Sequence, residues 1–220
     1  HSGEFEHAAD AGLKAGPAGA NVVSKATSVY AHYLEPKEKN RQRLFLQVAE
    51  QAAAQAAADP QNANAFYWQA YALGRYSQGI SVAKALAQGV GGKIKSALEA
   101  TIRLEPKHAD AHIALAAFHA EVIDKVGALI GNMTYGAKKE TSLTLFAQAL
   151  ALNPRSAIAK IEYANALVIL EGDNRMAEAT QYYEEAAATK AKDALEHLDV
   201  EMAQAELASC KTEYEYRMKE

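Results

Sequence analysis

Three histidines, His108, His112 and His119, fall at i, i+4 and i+11. On a helix turning about 100° per residue they lie near 0°, 40° and 20°, which is one stripe. An i, i+4 pair of imidazoles is a spacing that can hold zinc. His108 and His112 are therefore the candidate metal pair. His119 lies about 10 Å beyond His112 at 1.5 Å per residue, too far to join the same ion. No Glu follows His108, so the zincin pattern is absent. The expectation is no metal and no cofactor, with His108 and His112 as the alternative.

The run Gln88-Gly89-Val90-Gly91-Gly92-Lys93-Ile94 is rich in glycine beside a lysine. A phosphate loop needs Gly, four residues, then Gly-Lys-Ser/Thr after a strand. Here Ala87 stands where the first Gly belongs and Ile94 where the hydroxyl belongs. The run reads as a turn that opens a helix, with at most an anion site at that helix start. Glu99, Glu105, Asp110 and Glu121 supply carboxylates without the spacing of a catalytic pair. The one cysteine, Cys210, has no local signature of a nucleophile and no partner for a disulfide. Asn132-Met133-Thr134 fits a glycosylation acceptor, a triplet common by chance. With no acid–base pair, no nucleophile and no serine elbow, the chain reads as a binding protein and not an enzyme.

The elements that must carry these residues are helices. Ala, Leu, Glu, Lys and Gln fill the long segments, and alternating β-branched patterns are missing. Gly12, Gly16, Pro17 and Gly19 mark residues 1–20 as a flexible N-terminal segment or a cloning remnant, since the chain does not open on Met. Residues 21–220 read as a single domain. One helix runs from near Asn21 to Leu34, and a second after Pro36 carries Leu44, Phe45, Val48 and Ala52 to Asp59-Pro60. A charged last helix over 193–218, with Leu195, Leu198, Met202, Ala205 and Leu207 as a partial apolar stripe, reads as a cap. The net charge of −4 gives no basic excess for nucleic acid, and no apolar run spans a bilayer.

A self-similarity organises the rest. Pro60-Gln61-Asn62-Ala63-Asn64-Ala65, Pro106-Lys107-His108-Ala109-Asp110-Ala111 and Pro154-Arg155-Ser156-Ala157-Ile158-Ala159 share Pro-x-x-Ala-x-Ala. Leu104-Glu105 and Leu152-Asn153 precede two of them. Proline disfavours helix at the residue before it, and small alanines let the following helix pack closely. A repeated helix–Pro–helix joint implies stacked antiparallel helix pairs. The prolines lie 46 and 48 residues apart.

These joints resemble the tetratricopeptide repeat (TPR). Residues 60–74 match it, with Phe66 at the large packing position and Ala70 at the small one. Gly172-Asp173 resembles its interhelix turn, and Ala179, Tyr183 and Ala186, like Phe146 and Ala149, resemble its second helix. The family repeats every 34 residues or so, so each unit here carries roughly 12–14 more. The additions fall around 79–93 and 125–139, after the first helix of each pair, and imply a short or extended helix with a Gly-rich turn. His112 and His119 then occupy the packing positions of Phe66 and Leu73. The word Gly74-Arg75-Tyr76-Ser77-Gln78-Gly79-Ile80, followed by Ile94-Lys95-Ser96-Ala97 and Leu104-Glu105-Pro106, is similar to one in the regulator of microtubule dynamics family, apart from one inserted residue. The stretched pattern is also similar to the T component of bacterial TRAP transporters, a periplasmic lipoprotein, although the lipidated cysteine is missing here.

The fold expected is all-α: a right-handed solenoid of eight to ten helices, about three elongated repeats and terminal helices. The repeat resemblance implies a concave groove faced by Asn64, Tyr67, Tyr71 and Arg75 in the first unit. Asp110, Ile113 and Glu121 follow in the second, and Ile161, Asn165 and Ile169 in the third. Tyr67 and Tyr71 serve equally well as core. The leading expectation is a scaffold that holds a protein or peptide partner in this groove. The runner-up, implied by the transporter resemblance, is a periplasmic accessory protein whose insertions enclose a cavity for a small ligand. Exposed solenoid edges leave room for a homo-oligomer, and cytoplasm and periplasm both stay open.

Overall fold

The computed structural model describes residues 3–217, with side-chain surroundings for 3–209, so Cys210 lies outside the described side chains. Among the described residues there are twelve α-helices and no strand. They are α1 (Phe5–Lys14), α2 (Ala20–Val29), α3 (Glu38–Ala58), α4 (Ala63–Gln78), α5 (Val82–Ala87) and α6 (Val90–Leu104). Then come α7 (Ala109–Val126), α8 (Ala128–Tyr135), α9 (Lys139–Leu152), α10 (Ala157–Glu171), α11 (Met176–Ala187) and α12 (Ala194–Arg217). The count exceeds the expected eight to ten because each insertion contributes a short helix, α5 and α8, and because the N-terminal segment is itself helical. Gly12 of α1 and Gly19 before α2 meet so closely that a Cβ on Gly19 would lie 2.1 Å from the Gly12 carbonyl oxygen.

The three proline joints fold alike. The residues before the prolines, Asp59, Glu105 and Asn153, share φ between −132 and −141° and ψ between 82 and 89°, the extended region proline imposes. Two residues after each proline comes the N-cap. Asn62, His108 and Ser156 accept hydrogen bonds from the backbone N–H of Ala65, Ala111 and Ala159. Each cap satisfies a donor that the first helical turn leaves open. Those three alanines are fully buried, small side chains that let a neighbouring helix approach closely.

The pairs are α4 with α6, α7 with α9 and α10 with α11, and each contacts the next. The core follows the stack in three clusters. The first joins α3, α4, α6 and α7 around Val48, Trp68, Leu73, Leu98 and Phe118. The second joins α7, α9, α10 and α11 around Phe146, Tyr163 and Leu167, with Phe146 stacked on Tyr163 at 5.1 Å between centroids. The third seats α12 on α10 and α11 through Ala157, Ile161, Ala186, Val200 and Ala203. The buried seam of α12 runs through Asp199, Val200 and Ala203, whereas Leu195, Leu198 and Met202 are half-buried and Ala205 is exposed. Small residues mark the line of closest approach, so the longer side chains of the expected stripe flank it.

Candidate functional site

The first helices of successive pairs, α4, α7 and α10, line the inner face together with α2 and α12. They enclose a pocket of about 520 Å³. One side-chain bond crosses the inner face. A π-turn over Tyr30–Leu34 ends α2 and carries Tyr33, whose hydroxyl donates a hydrogen bond to Asp199 Oδ1 of α12. This bond links the first and last helices of the inner face across the groove.

Tyr67 and Tyr71 lie one turn apart on α4. Tyr67 is buried in the core, edge-on to Trp68 at 4.9 Å and tilted against His108 at 4.7 Å. Tyr71 is half-buried and forms the pocket wall one turn before Arg75. The Arg75 guanidinium lies 5.3 Å from the Tyr71 ring centroid, a cation–π arrangement. It also reaches Glu162 Oε1 of α10 at 3.4 Å and Gln78 Oε1 at 3.3 Å. Gln78 in turn donates to Glu121 Oε1 of α7 at 2.8 Å. Three units thus meet in one polar cluster, Glu121–Gln78–Arg75–Glu162, on a wall that mixes apolar residues such as Val29, Ile113, Phe118 and Leu98 with further charged ones, among them Lys25, Asp110, Lys125, Lys192 and Asp199.

Burial sets the charges of the cluster. It opposes the positive charge of Arg75, but Tyr71 and Glu162 outweigh it and hold the guanidinium above its ordinary pKa. Burial lifts both tyrosine hydroxyls, Tyr67 well above the ordinary value. Burial, reinforced by Glu162, raises the Glu121 carboxyl, and its bond to Gln78 opposes the rise. Burial likewise raises Asp199 to about 6, against the opposing effect of the Tyr33 hydrogen bond. His32, beside Tyr33, is lowered to about 3 by burial and by Arg75 and Arg41, so it is neutral.

Of the residues expected in the groove, Tyr67, Tyr71, Arg75, Asp110, Ile113 and Glu121 line this pocket. Asn64 does not; it is exposed at the rim and bonds His108 Nε2 at 3.4 Å. Asn165 faces the second helix instead, where its Oδ1 accepts from the Tyr183 hydroxyl at 2.5 Å. Ile161 is buried under α12 and Ile169 is exposed. The solenoid curves between units, so positions equivalent in the repeat do not stay on one line. Sequence reasoning missed Tyr33, Gln78, Glu162 and Asp199. An acid set between apolar positions of α12 was a readable signal for Asp199; the other three depend on how distant helices meet.

The histidines do not converge. His108 spends Nδ1 on its cap, and His112 Nε2 lies 2.9 Å from the Pro106 carbonyl oxygen. His119 Nδ1 accepts from the Lys138 backbone N–H at 3.2 Å. Both His112 and His119 are buried at packing positions. Among the described residues no group of three His, Cys, Asp or Glu is placed to hold a metal. In the glycine-rich run, Gly89 takes φ of 61° and turns the chain from α5 into α6. A Cβ on Gly91 would meet the Tyr135 ring of α8 at 2.8 Å.

No family model matches the sequence, and no curated protein matches it. Among solved structures the fold is similar to that of a thermophilic TPR protein of Thermus thermophilus. That match has a TM-score of 0.54 at 16% identity and covers 91% of this chain and 99% of the other. The fold is therefore a TPR-like helical-repeat solenoid. At that identity the likeness extends to architecture alone.

Proposed function

We propose that this is a binding protein, not an enzyme, and that its inner face holds a small organic ligand with both apolar and polar groups. The observation that carries the reading is the pocket itself. Its volume of about 520 Å³ falls in the range of small-molecule sites, and aromatic and aliphatic side chains supply most of its wall beside several charged ones. The Glu121–Gln78–Arg75–Glu162 chain offers donors and acceptors fixed by each other, which orients a polar end without a large net charge. The insertions contribute Val82 and Leu86 of α5 and Tyr135 of α8 to the same wall. Their presence suits the resemblance to the TRAP transporter T component.

The second reading is a scaffold that holds a peptide or protein segment. Tyr67, Tyr71 and Arg75, the residue types that anchor interfaces, favour it. It ranks second because the Tyr33–Asp199 bond crosses the groove along which an extended segment would lie.

Gly74→Trp separates the two readings from a folding defect. A Cβ on Gly74 meets nothing within 4 Å, and the residue lines the pocket in mid-helix. The replacement should fill the pocket and, through helix propensity, cost no stability. Titration with 1-anilinonaphthalene-8-sulfonate should show saturable binding to the wild type that Gly74→Trp abolishes. Binding unchanged by Gly74→Trp would overturn the pocket assignment.

A further inference from the structure

The two insertions differ from the rest of the chain in charge and in what they expose. Residues 79–93 and 125–139 contain Lys84, Lys93, Lys125, Lys138 and Lys139, and neither contains an Asp or Glu. The whole chain holds 27 acidic against 23 basic residues, so the insertions are locally basic on an acidic protein, with Lys125 paired to Asp124 at 3.0 Å and Lys139 to Glu171 at 2.7 Å. On α8, which carries no charged residue, Leu129, Ile130 and Met133 are 74%, 57% and 80% exposed. On α5, Val82 and Leu86 are exposed as well. Both short helices follow the first helix of their pair, so both sit at the same end of the stack, and Tyr135 of α8 packs on Gly91 just after α5.

We infer that this end docks on an anionic lipid bilayer, with α8 lying in the interface. An exposed apolar face of this kind needs a cover. The lysines around it point to a negatively charged, apolar-permeable surface, because each Lys or Arg near an anionic leaflet strengthens attachment. Short helices with an apolar face and basic neighbours lie in the plane of the interface. Lys84, Lys93, Lys125 and Lys138 are all exposed, so their ammonium groups can reach headgroups while Leu129, Ile130 and Met133 enter the acyl boundary. No helix among the described residues is long and apolar enough to cross a membrane; the attachment inferred is through this face.

The test is sedimentation with vesicles of phosphatidylcholine alone or with about a quarter phosphatidylglycerol. Wild-type protein should sediment with the anionic vesicles only, and release at about 0.5 M salt. Leu129→Ser, Ile130→Ser and Met133→Ser together should weaken the partition at least about tenfold. Replacing Lys84, Lys93, Lys125 and Lys138 by Gln should do the same. All seven side chains are exposed, so far-ultraviolet circular dichroism should stay at the wild-type level. The inference is overturned if the protein ignores anionic vesicles, if it binds neutral ones equally, or if the triple variant binds as well as wild type. It is also overturned if the wild type self-associates without lipid and the triple variant becomes monomeric, because the face then belongs to a second copy.

Discussion

Replacing Asp199 by Asn should change how stability depends on pH. Asp199 is 5% exposed on α12 and accepts the Tyr33 hydroxyl. Burial holds its carboxyl at about 6 in the fold, against an ordinary value of 3.8. Well below that ordinary value the group is protonated in both folded and unfolded chains and contributes no pH dependence. Between 3.8 and about 6 the folded chain keeps a proton that the unfolded chain has released, so raising the pH favours unfolding. At 1.36 kcal/mol per pH unit, the accumulated loss above pH 6 is about 3 kcal/mol as an upper bound. Asn keeps an acceptor for Tyr33 and cannot ionise. The stability of Asp199→Asn relative to wild type should therefore rise by up to about 3 kcal/mol between about pH 4 and pH 7.5. Urea unfolding followed at about 222 nm, run on both proteins across that range, measures the difference and cancels every other titrating group. A flat difference, or one that falls with pH, would refute the reasoning that Asp199 is ionised at a desolvation cost in its contact with Tyr33.

Other replacements test the packing. Ser156→Ala removes the side-chain acceptor for Ala159 N–H and should cost about 1 kcal/mol in urea unfolding. Phe146→Ala empties a fully buried site between α7, α9 and α10 and should cost about 3–5 kcal/mol, with a drop in the thermal midpoint. Gly19→Ala puts a methyl against the Gly12 carbonyl and should cost about 1–3 kcal/mol through overpacking; faster hydrogen exchange in α1 than in α10 would locate the damage.

Much of the architecture was readable because it is local. Pro60, Pro106 and Pro154 fix the backbone of the residue before them, and the alanines five residues on accept only a close neighbour, so the joints declared the stack. The insertions were visible as glycine-bearing excess length, and α5 and α8 occupy them. The site was half legible. Tyr67, Tyr71, Arg75, Asp110, Ile113 and Glu121 sit on the faces that the repeat pattern gives them. Tyr33 and Asp199 are 166 residues apart and meet only because the superhelix brings α12 back towards α2, which no window of sequence encodes. Asn165 was misplaced for a related reason: its partner, Tyr183, lies on the second helix of its own pair, and that contact turned it away from the groove.

Whether the inner face carries a small ligand is tested most directly by native mass spectrometry of the protein purified gently from its source cells, with released species identified after denaturation. The expected result is a small organic molecule bound to the wild type and absent from Gly74→Trp. A co-purifying polypeptide, retained by the wild type and lost on replacing Tyr67, Tyr71 and Arg75 by Ala, would contradict it and return the groove to a protein partner.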